Sequence, residues 1–93
     1  MALGFTWDPT KAAANLRKHG VSFEDGSTAF ADPHSVTIAD PDHSTVEHRF
    51  TLVGATNRGL LVVVSHTERH DTIRIICARK ATRSERATYE EDQ

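Results

Sequence analysis

The chain has 93 residues, a formal net charge of −2 and a single cysteine. We expect one domain, 1–93, with a modest core, because only about 60–65% of the unfolded surface is buried at this size. The charge argues against a protein that mainly coats nucleic acid, and Cys77, which lies in an apolar run, excludes an internal disulfide and favours a buried structural thiol.

The sequence shows no pattern typical of a membrane span or a secretory signal. No stretch approaches the roughly 20 apolar residues that cross a bilayer, and the first residues lack the basic and apolar pattern of a secretory signal. We therefore expect a cytoplasmic protein without membrane contact.

The first third of the chain is predicted to form a strand and two helices. Residues 4–7 alternate and include β-forming aromatic side chains, which indicates a short strand. An aspartate followed by a proline then starts a helix over residues 9–19, and Gly20 ends it. Ser22 is the N-cap of a second helix, which is expected to continue until Pro33.

The rest of the chain is predicted to form an antiparallel sheet and a last helix. One short strand lies in a turn-rich passage, and a meander with hairpin-length connections follows over residues 49–55, 60–67 and 72–79. Thr82 and Glu85 form a capping-box pattern, which starts a helix reaching about Glu91. The predicted architecture is α+β: a short N-terminal strand, two helices, an antiparallel β-meander and a C-terminal helix.

Basic side chains are concentrated late in the chain. Residues 69–86 contain six basic and two acidic residues, whereas residues 1–64 contain five basic and seven acidic residues. Arginines on an open sheet face are suited to clamp a phosphodiester, because a planar guanidinium matches two phosphate oxygens. The alternative is that each arginine is solvated or paired with Glu47, Glu68 or Glu85.

Strand parity sorts these arginines between the two sheet faces. Arg49 and Arg74 are predicted to lie on the face that the helices leave open. In the last strand, Arg79 is predicted to share the other face with Ile75 and Cys77.

Histidine is the side chain that most readily supplies an acid or base near neutral pH, and the chain has six. His66 has the parity of the apolar residues before it, which fits a buried histidine at the edge of the core at least as well as a catalytic one. His43 precedes Ser44, but no aspartate partner completes a triad. No third ligand accompanies His66 and His70, and no phosphate-binding glycine loop is present, so we predict no metal site and no cofactor.

Three long segments carry a recognisable pattern, namely FTWDPTKAAANLRKHGVSFEDGSTAFADP, DPDHSTVEHRFTLVGATNRGLLVVVSHTER and IRIICARKATRSERATYEE. With motifs such as KHGVSFE, HTER and RIICARKAT, the chain resembles the BrnT toxins of bacterial type II toxin–antitoxin systems. The resemblance covers nearly the whole chain, and the matching segments follow in the same order. The resemblance implies a RelE-like fold and a metal-independent endoribonuclease that arrests translation. It also implies a hetero-oligomer with a BrnA-type ribbon-helix-helix antitoxin, which neutralises the toxin, represses the shared operon with it and makes the contact with operator DNA.

The resemblance also indicates where the site lies. It places the catalytic residues at Arg49, Glu68, Arg69 and Arg79. From the resemblance and the strand positions, RNA-binding roles are assigned to Lys18, His43, Glu47, Arg74, Lys80 and Tyr89. One departure is the turn after TER, where His70 and Asp71 stand in place of the glycine that relatives often carry, which affects the geometry of the turn rather than the chemistry.

Cleavage of RNA without a metal needs a base for the 2′-hydroxyl proton, cationic groups around the phosphorus and an acid for the leaving 5′-oxygen. Glu68 is the first candidate for the base, with His66 or His43 as alternatives, and the expected product is a 2′,3′-cyclic phosphate. Two other functions stay open: a non-catalytic module that binds an acidic partner through the same arginines, and an inactivated toxin retained as a corepressor.

Overall fold

The computed structural model describes residues 4–39 and 48–91, which form a five-stranded sheet and three α-helices. In chain order the elements are β1 (Gly4–Thr6), α1 (Pro9–His19), α2 (Phe23–Thr28) with a 3₁₀ turn (Ala29–Ala31), β2 (Val36–Ala39), β3 (Arg49–Ala55), β4 (Leu61–Arg69), β5 (Thr72–Lys80) and α3 (Arg83–Glu91). The strand order is β1-β5-β4-β3-β2, with β1 parallel to β5 and the other pairs antiparallel. The predicted α+β architecture and its meander are confirmed.

Helix α1 begins and ends where the sequence predicts, because its capping groups are in place. The Asp8 side chain accepts hydrogen bonds from the N–H groups of Thr10 and Lys11 at 2.8 and 3.4 Å. Gly20, with φ 72°, closes the other end. At 11 residues α1 is the longest helix in the described ranges, and none there is both long and apolar enough to cross a membrane.

Helix α2 ends at Thr28 instead of continuing to Pro33 as predicted. The hydroxyls of Ser27 and Thr28 each donate to a main-chain carbonyl three residues earlier, at 2.6 Å, and the tighter 3₁₀ turn follows. Such side-chain bonds compete with continued α-helical hydrogen bonding. The predicted second helix is therefore a short α-helix followed by a 3₁₀ turn.

The two faces of the sheet carry different helices. On the first, which we call the α1/α2 face, helices α1 and α2 cover an apolar cluster that includes Phe23, Val62 and Ile75. On the second, the α3 face, helix α3 packs on a smaller cluster that includes Val53 and Val63. Full burial of one such side chain contributes about 1.5–3 kcal/mol to folding, so both clusters hold their helices to the sheet.

A β-bulge in β5 reverses the predicted face of Arg79. Consecutive residues of β4 lie opposite Cys77 and Ile75, so Ile76 is an extra residue in β5. Because side chains alternate along a strand, the extra residue moves every later side chain to the other face. Arg79 therefore lies opposite Val63 on the α3 face, and the prediction that it shares the face of Ile75 is wrong. Cys77 moves with it and is half-buried, not buried as predicted.

Asn15 of α1 completes the hydrogen bonding of β5 beside the bulge. In the described part of the chain, β1 pairs with β5 only as far as Arg74, which leaves the next part of that edge without a strand partner. The buried Asn15 carboxamide donates to the Ala78 carbonyl at 2.7 Å and accepts from the Ala78 N–H at 3.1 Å. It also donates to the Val21 carbonyl at 2.9 Å. One side chain thus satisfies buried main-chain groups and anchors α1 to the sheet.

Helix α3 starts with the capping box that the sequence predicts. The Glu85 N–H donates to the Thr82 hydroxyl at 3.2 Å, and the Thr82 N–H donates to the Glu85 carboxylate at 2.8 Å. Ala81 and Tyr89 carry the apolar contact of this helix region with the sheet. These contacts place α3 over Val53 and Val63.

Candidate active site

The end of the sheet where β4 turns into β5 holds a pocket of about 370 Å³. Strand β1 contributes Thr6, β4 contributes Glu68 and Arg69, and β5 contributes Arg74. His48, which precedes β3, also lines the pocket, as do the remaining lining residues Thr67, His70, Asp71 and Thr72 around the turn. We call it the hairpin-end pocket, and its volume lies in the range of small-molecule sites.

One row of paired residues crosses the sheet beside this pocket. On the α3 face, Arg49 lies opposite Thr67, Thr67 opposite Arg74, and Arg74 opposite Thr6. We call it the Thr67 row. Opposed residues have Cβ atoms about 4.5–5.5 Å apart, so the two arginines flank Thr67, and Arg69 projects from the same face two residues further along β4. Arg49 and Arg74 share a face as predicted, but the prediction that the helices leave this face open is wrong, because α3 packs on it at Val53 and Val63.

Glu68 reaches the pocket from the opposite face of β4 and contacts a histidine. Its Oε2 lies 3.1 Å from Nε2 of His66, and its side chain is 47% exposed. The His66 side chain is 0% exposed, and its Nδ1 lies 3.2 Å from the Val64 carbonyl oxygen. Phe30 meets the ring edge-on at 4.7 Å and Phe50 stacks on it at 5.8 Å. The ring is a buried histidine, as one of the two sequence interpretations held, and it has no surface with which to contact substrate.

Arg79 lies away from this pocket and is bound by α3. Its strand position, opposite Val63, is four residues along β4 from the Thr67 row, or about 13 Å at strand spacing. Its Nη1 and Nη2 donate to the two carboxylate oxygens of Glu85 at 2.7 and 2.8 Å. These bonds lower the pKa of Glu85 from 4.5 to about 2 and raise the pKa of Arg79. The structure brings Arg79 to Glu85 rather than to Glu68, and its catalytic role stays a prediction.

Tyr89, a predicted RNA-binding residue, makes a contact beneath α3. Its hydroxyl donates to Asp32 at 2.6 Å, and the Asp32 carboxylate also accepts from the N–H groups of His34 and Ala55 at 2.9 and 2.8 Å. Burial raises the pKa of Asp32, but the hydrogen bonds from Tyr89 and the two main-chain groups outweigh it and hold that pKa below its ordinary 3.8. The same contact raises the pKa of Tyr89. Tyr89 thus ties α3 to the segment before β2.

Two further predicted RNA-binding residues, Lys18 and Lys80, are not among the described residues that line the pocket. Lys80 lies opposite Val62 on the α1/α2 face, at the far end of β5. Lys18 lies in the last turn of α1. His43 and Glu47 fall outside the residues that the structure describes.

Six of the nine residues that line the pocket were not predicted as site residues, and His48 and Thr6 show why. The register that pairs Arg49 with Thr67, continued by one residue, puts His48 opposite Glu68. The length of the β3–β4 connection sets this register, so hairpin length is the signal that points to His48. Thr6 arrives through the parallel pairing of β1 with β5, and short-range sequence signals do not reveal such long-range pairings.

The pocket is lined by two acidic residues, Glu68 and Asp71, two arginines and two histidines. Guanidinium groups bind phosphate oxygens, and a carboxylate or an imidazole transfers protons, so the set is suited to a phosphodiester. Among the residues described, no group of three or more His, Cys, Asp or Glu side chains is arranged to hold a metal ion.

Comparisons with known proteins agree with this fold. The chain is similar to the crystal structure of the ribonuclease toxin BrnT of Brucella abortus, with a TM-score of 0.63 over 88% of this chain and 100% of that chain. The two sequences are 20% identical, so this similarity shows a shared fold. No curated protein matches the chain. A family model described as the ribonuclease toxin BrnT of type II toxin–antitoxin systems matches residues 7–85, which confirms the resemblance. The chain therefore belongs to the BrnT family of ribonuclease toxins of type II toxin–antitoxin systems.

Proposed function

We propose that the chain cleaves RNA at the hairpin-end pocket without a metal ion. The observation that carries this proposal is that Glu68, whose side chain is half-exposed, lines the same pocket as Arg69 and Arg74. Family membership gives the reaction class, endoribonucleolytic cleavage by a toxin. The pocket supplies the groups that such cleavage needs.

In the proposed reaction, Glu68 takes the proton of an RNA 2′-hydroxyl, and the 2′-oxygen attacks the adjacent phosphorus. Arg69 and Arg74, with Arg49 across Thr67, stabilise the negative charge that develops on the phosphate oxygens. The bond to the 5′-oxygen then breaks. We assign His48 as the acid that donates a proton to this leaving oxygen. His48 lines the pocket, and the continued β3–β4 register puts it opposite Glu68. The products are a 2′,3′-cyclic phosphate and a 5′-hydroxyl.

An assay of the purified chain on RNA in EDTA tests this mechanism. We expect cleavage to persist, with fragments ending in a 2′,3′-cyclic phosphate. Glu68→Gln removes the base and should lower the rate about 10²–10⁴-fold. Arg74→Ala removes one electrostatic contact and should lower it about 10²–10³-fold.

The matched control is Arg86→Ala, an exposed arginine on α3, which should cut at the wild-type rate. Arg79→Ala in the same assay tests the role that the family resemblance implies for Arg79: a loss as large as that of Arg74→Ala would support direct catalysis. Cleavage that needs an added divalent metal would contradict the metal-free mechanism. Wild-type activity of Glu68→Gln would show that Glu68 is not the base. A wild-type chain that does not cleave RNA would favour the two other functions, a binding module or an inactivated toxin.

We further propose that cleavage arrests translation in the cytoplasm. Family membership implies an antitoxin partner and an RNA substrate. We propose that this partner is a BrnA-type ribbon-helix-helix protein that neutralises the toxin and contacts operator DNA in the complex. Induction of the chain should stop amino-acid incorporation, and co-expression of a ribbon-helix-helix protein from the adjacent gene should restore it. Unchanged incorporation after induction would contradict this proposal.

A further inference from the structure

The contact between His66 and Glu68 joins a fully buried group to an exposed one. His66 is 0% exposed and Glu68 is 47% exposed, and the two residues project from the same face of β4. Alternate residues of a strand are separated by about 6.6 Å along its axis, so their side chains are long enough to meet. The 3.1 Å separation of Nε2 and Oε2 is a hydrogen-bond distance.

The partners of the imidazole fix where its protons lie. The Val64 carbonyl is an acceptor only, so the His66 Nδ1, at 3.2 Å from its oxygen, must carry a proton in order to bond to it. Oε2 of an ionised Glu68, the form that acts as a base, can then bond only to a protonated Nε2. Both ring nitrogens are therefore engaged, and Glu68 is held through one of its two oxygens.

Two aromatic side chains pack on the imidazole. Phe30 makes a T-shaped contact with it and Phe50 stacks on it. The register shift of β4 against β5 falls between Ser65 and His66, directly beside the ring. Bulges of this kind often re-aim a side chain next to a functional site.

We propose that His66 is a positioning residue that holds Oε2 of Glu68 and so directs Oε1 toward the substrate in the hairpin-end pocket. This inference rests on the proposed function, because it gives Glu68 the role of base. His66 itself touches no substrate. In the reaction Oε1 takes the 2′-hydroxyl proton, while the proton shared with Nε2 stays in place and keeps the carboxylate in one orientation.

The kinetic test compares His66→Leu and His66→Gln with wild type. Leucine fills the apolar site without a donor and should lower kcat about 10–100-fold with little change in KM, since a misplaced base loses rate rather than binding. Glutamine retains a donor and should recover part of kcat. Val62→Ala, fully buried on the same face of β4, is the control for lost packing and should keep its kcat.

The double variant separates positioning from an independent role. In the Glu68→Gln background, His66→Leu should have no further effect on kcat, because the residue acts through Glu68. An additional loss in that background, or a wild-type kcat for His66→Leu, would overturn the inference while leaving the proposed function intact. A wild-type kcat for Glu68→Gln would instead overturn the proposed function.

One measurement tests the contact without depending on catalytic activity or on the folding of a His66 variant. The ¹⁵N resonance of His66 Nε2 in the full chain should move on Glu68→Gln and stay unchanged on Arg86→Ala. An unchanged resonance in both would show that the contact is absent in solution and would overturn the inference.

Discussion

His70 departs from ordinary backbone geometry in the hairpin that carries the pocket. Among residues 4–39 and 48–91 it is the one non-glycine residue with a positive φ, at 57°. It is the first of two residues between β4 and β5, and tight hairpin turns favour glycine at such positions. A β-carbon in this conformation costs roughly 1–2 kcal/mol. The left-handed conformation of His70 thus introduces backbone strain at this turn.

We predict that His70→Gly stabilises the chain by about 0.5–1 kcal/mol, because glycine removes the strain but adds flexibility to the unfolded chain. Urea denaturation of both proteins measures the change. The matched control is Gly20→Ala, at φ 72° with open space around the added carbon, which should lower stability by about 1 kcal/mol. Destabilisation by His70→Gly would show that contacts of the histidine side chain stabilise the fold by more than the left-handed backbone conformation destabilises it.

At the scale of elements, α3 depends on polar contacts more than on buried area. None of its residues is fully buried, and its ties to the rest of the fold include the Arg79–Glu85 pair and the Tyr89–Asp32 hydrogen bond. Both contacts use a carboxylate whose pKa is lower in the folded chain than its ordinary value. Docking of α3 should therefore weaken in acid.

The sign of this effect follows from Glu85. Its pKa is about 2 when folded and 4.5 ordinarily, so its stabilisation is complete above pH 4.5 and is lost as the pH falls toward 2. A fully shielded pair with this shift would contribute roughly 3 kcal/mol, but Arg79 is 37% exposed and we expect on the order of 1–2 kcal/mol. Unfolding free energies from pH 7 to pH 2.5 measure it. Glu85→Gln should flatten that part of the profile, and an equally steep profile in this variant would contradict the assignment.

Element boundaries could be read from the sequence where one local signal decides them. The Asp8 cap, Gly20 and the Thr82–Glu85 capping box fixed helix ends correctly because their partners lie within a few residues. The bulge at Ile76 could not be predicted from the sequence, because it depends on how β5 pairs with β4. Because this extra residue was not foreseen, Arg79 was assigned to the wrong face. The Arg79–Glu85 pair confirms, for this arginine, the alternative that the arginines pair with acidic residues, but parity had placed Arg79 on the other face and did not single out Glu85 as its partner.

At the scale of the whole molecule, an acidic chain carries a local basic site. The net charge is −2, yet Arg49 and Arg74 lie in one row with Arg69 nearby on the same face. Long-range attraction to RNA should therefore be weak, and binding should depend on a few close phosphate contacts. Such contacts can be counted by their dependence on salt.

We predict that Arg74→Ala reduces the slope of log K against log salt concentration by about 0.7 for single-stranded RNA, the contribution of one phosphate contact. A 2′-deoxy substitution at the cleavage site keeps the ligand intact during titration. Arg83→Ala, exposed on α3, should leave the slope unchanged. Equal slopes for wild type and Arg74→Ala would mean that Arg74 does not contact a phosphate.

The parallel pairing of β1 with β5 also affects how the chain matures during synthesis. β1 leaves the ribosome early, but its partner follows only after α1, α2 and the first part of the meander, several seconds later at about 5–20 residues per second. Until then Phe5 has no strand beside it, and the hairpin-end pocket lacks Arg74. A nascent chain released before β5 is made would carry no assembled pocket, so under the proposed mechanism it should be unable to cleave RNA.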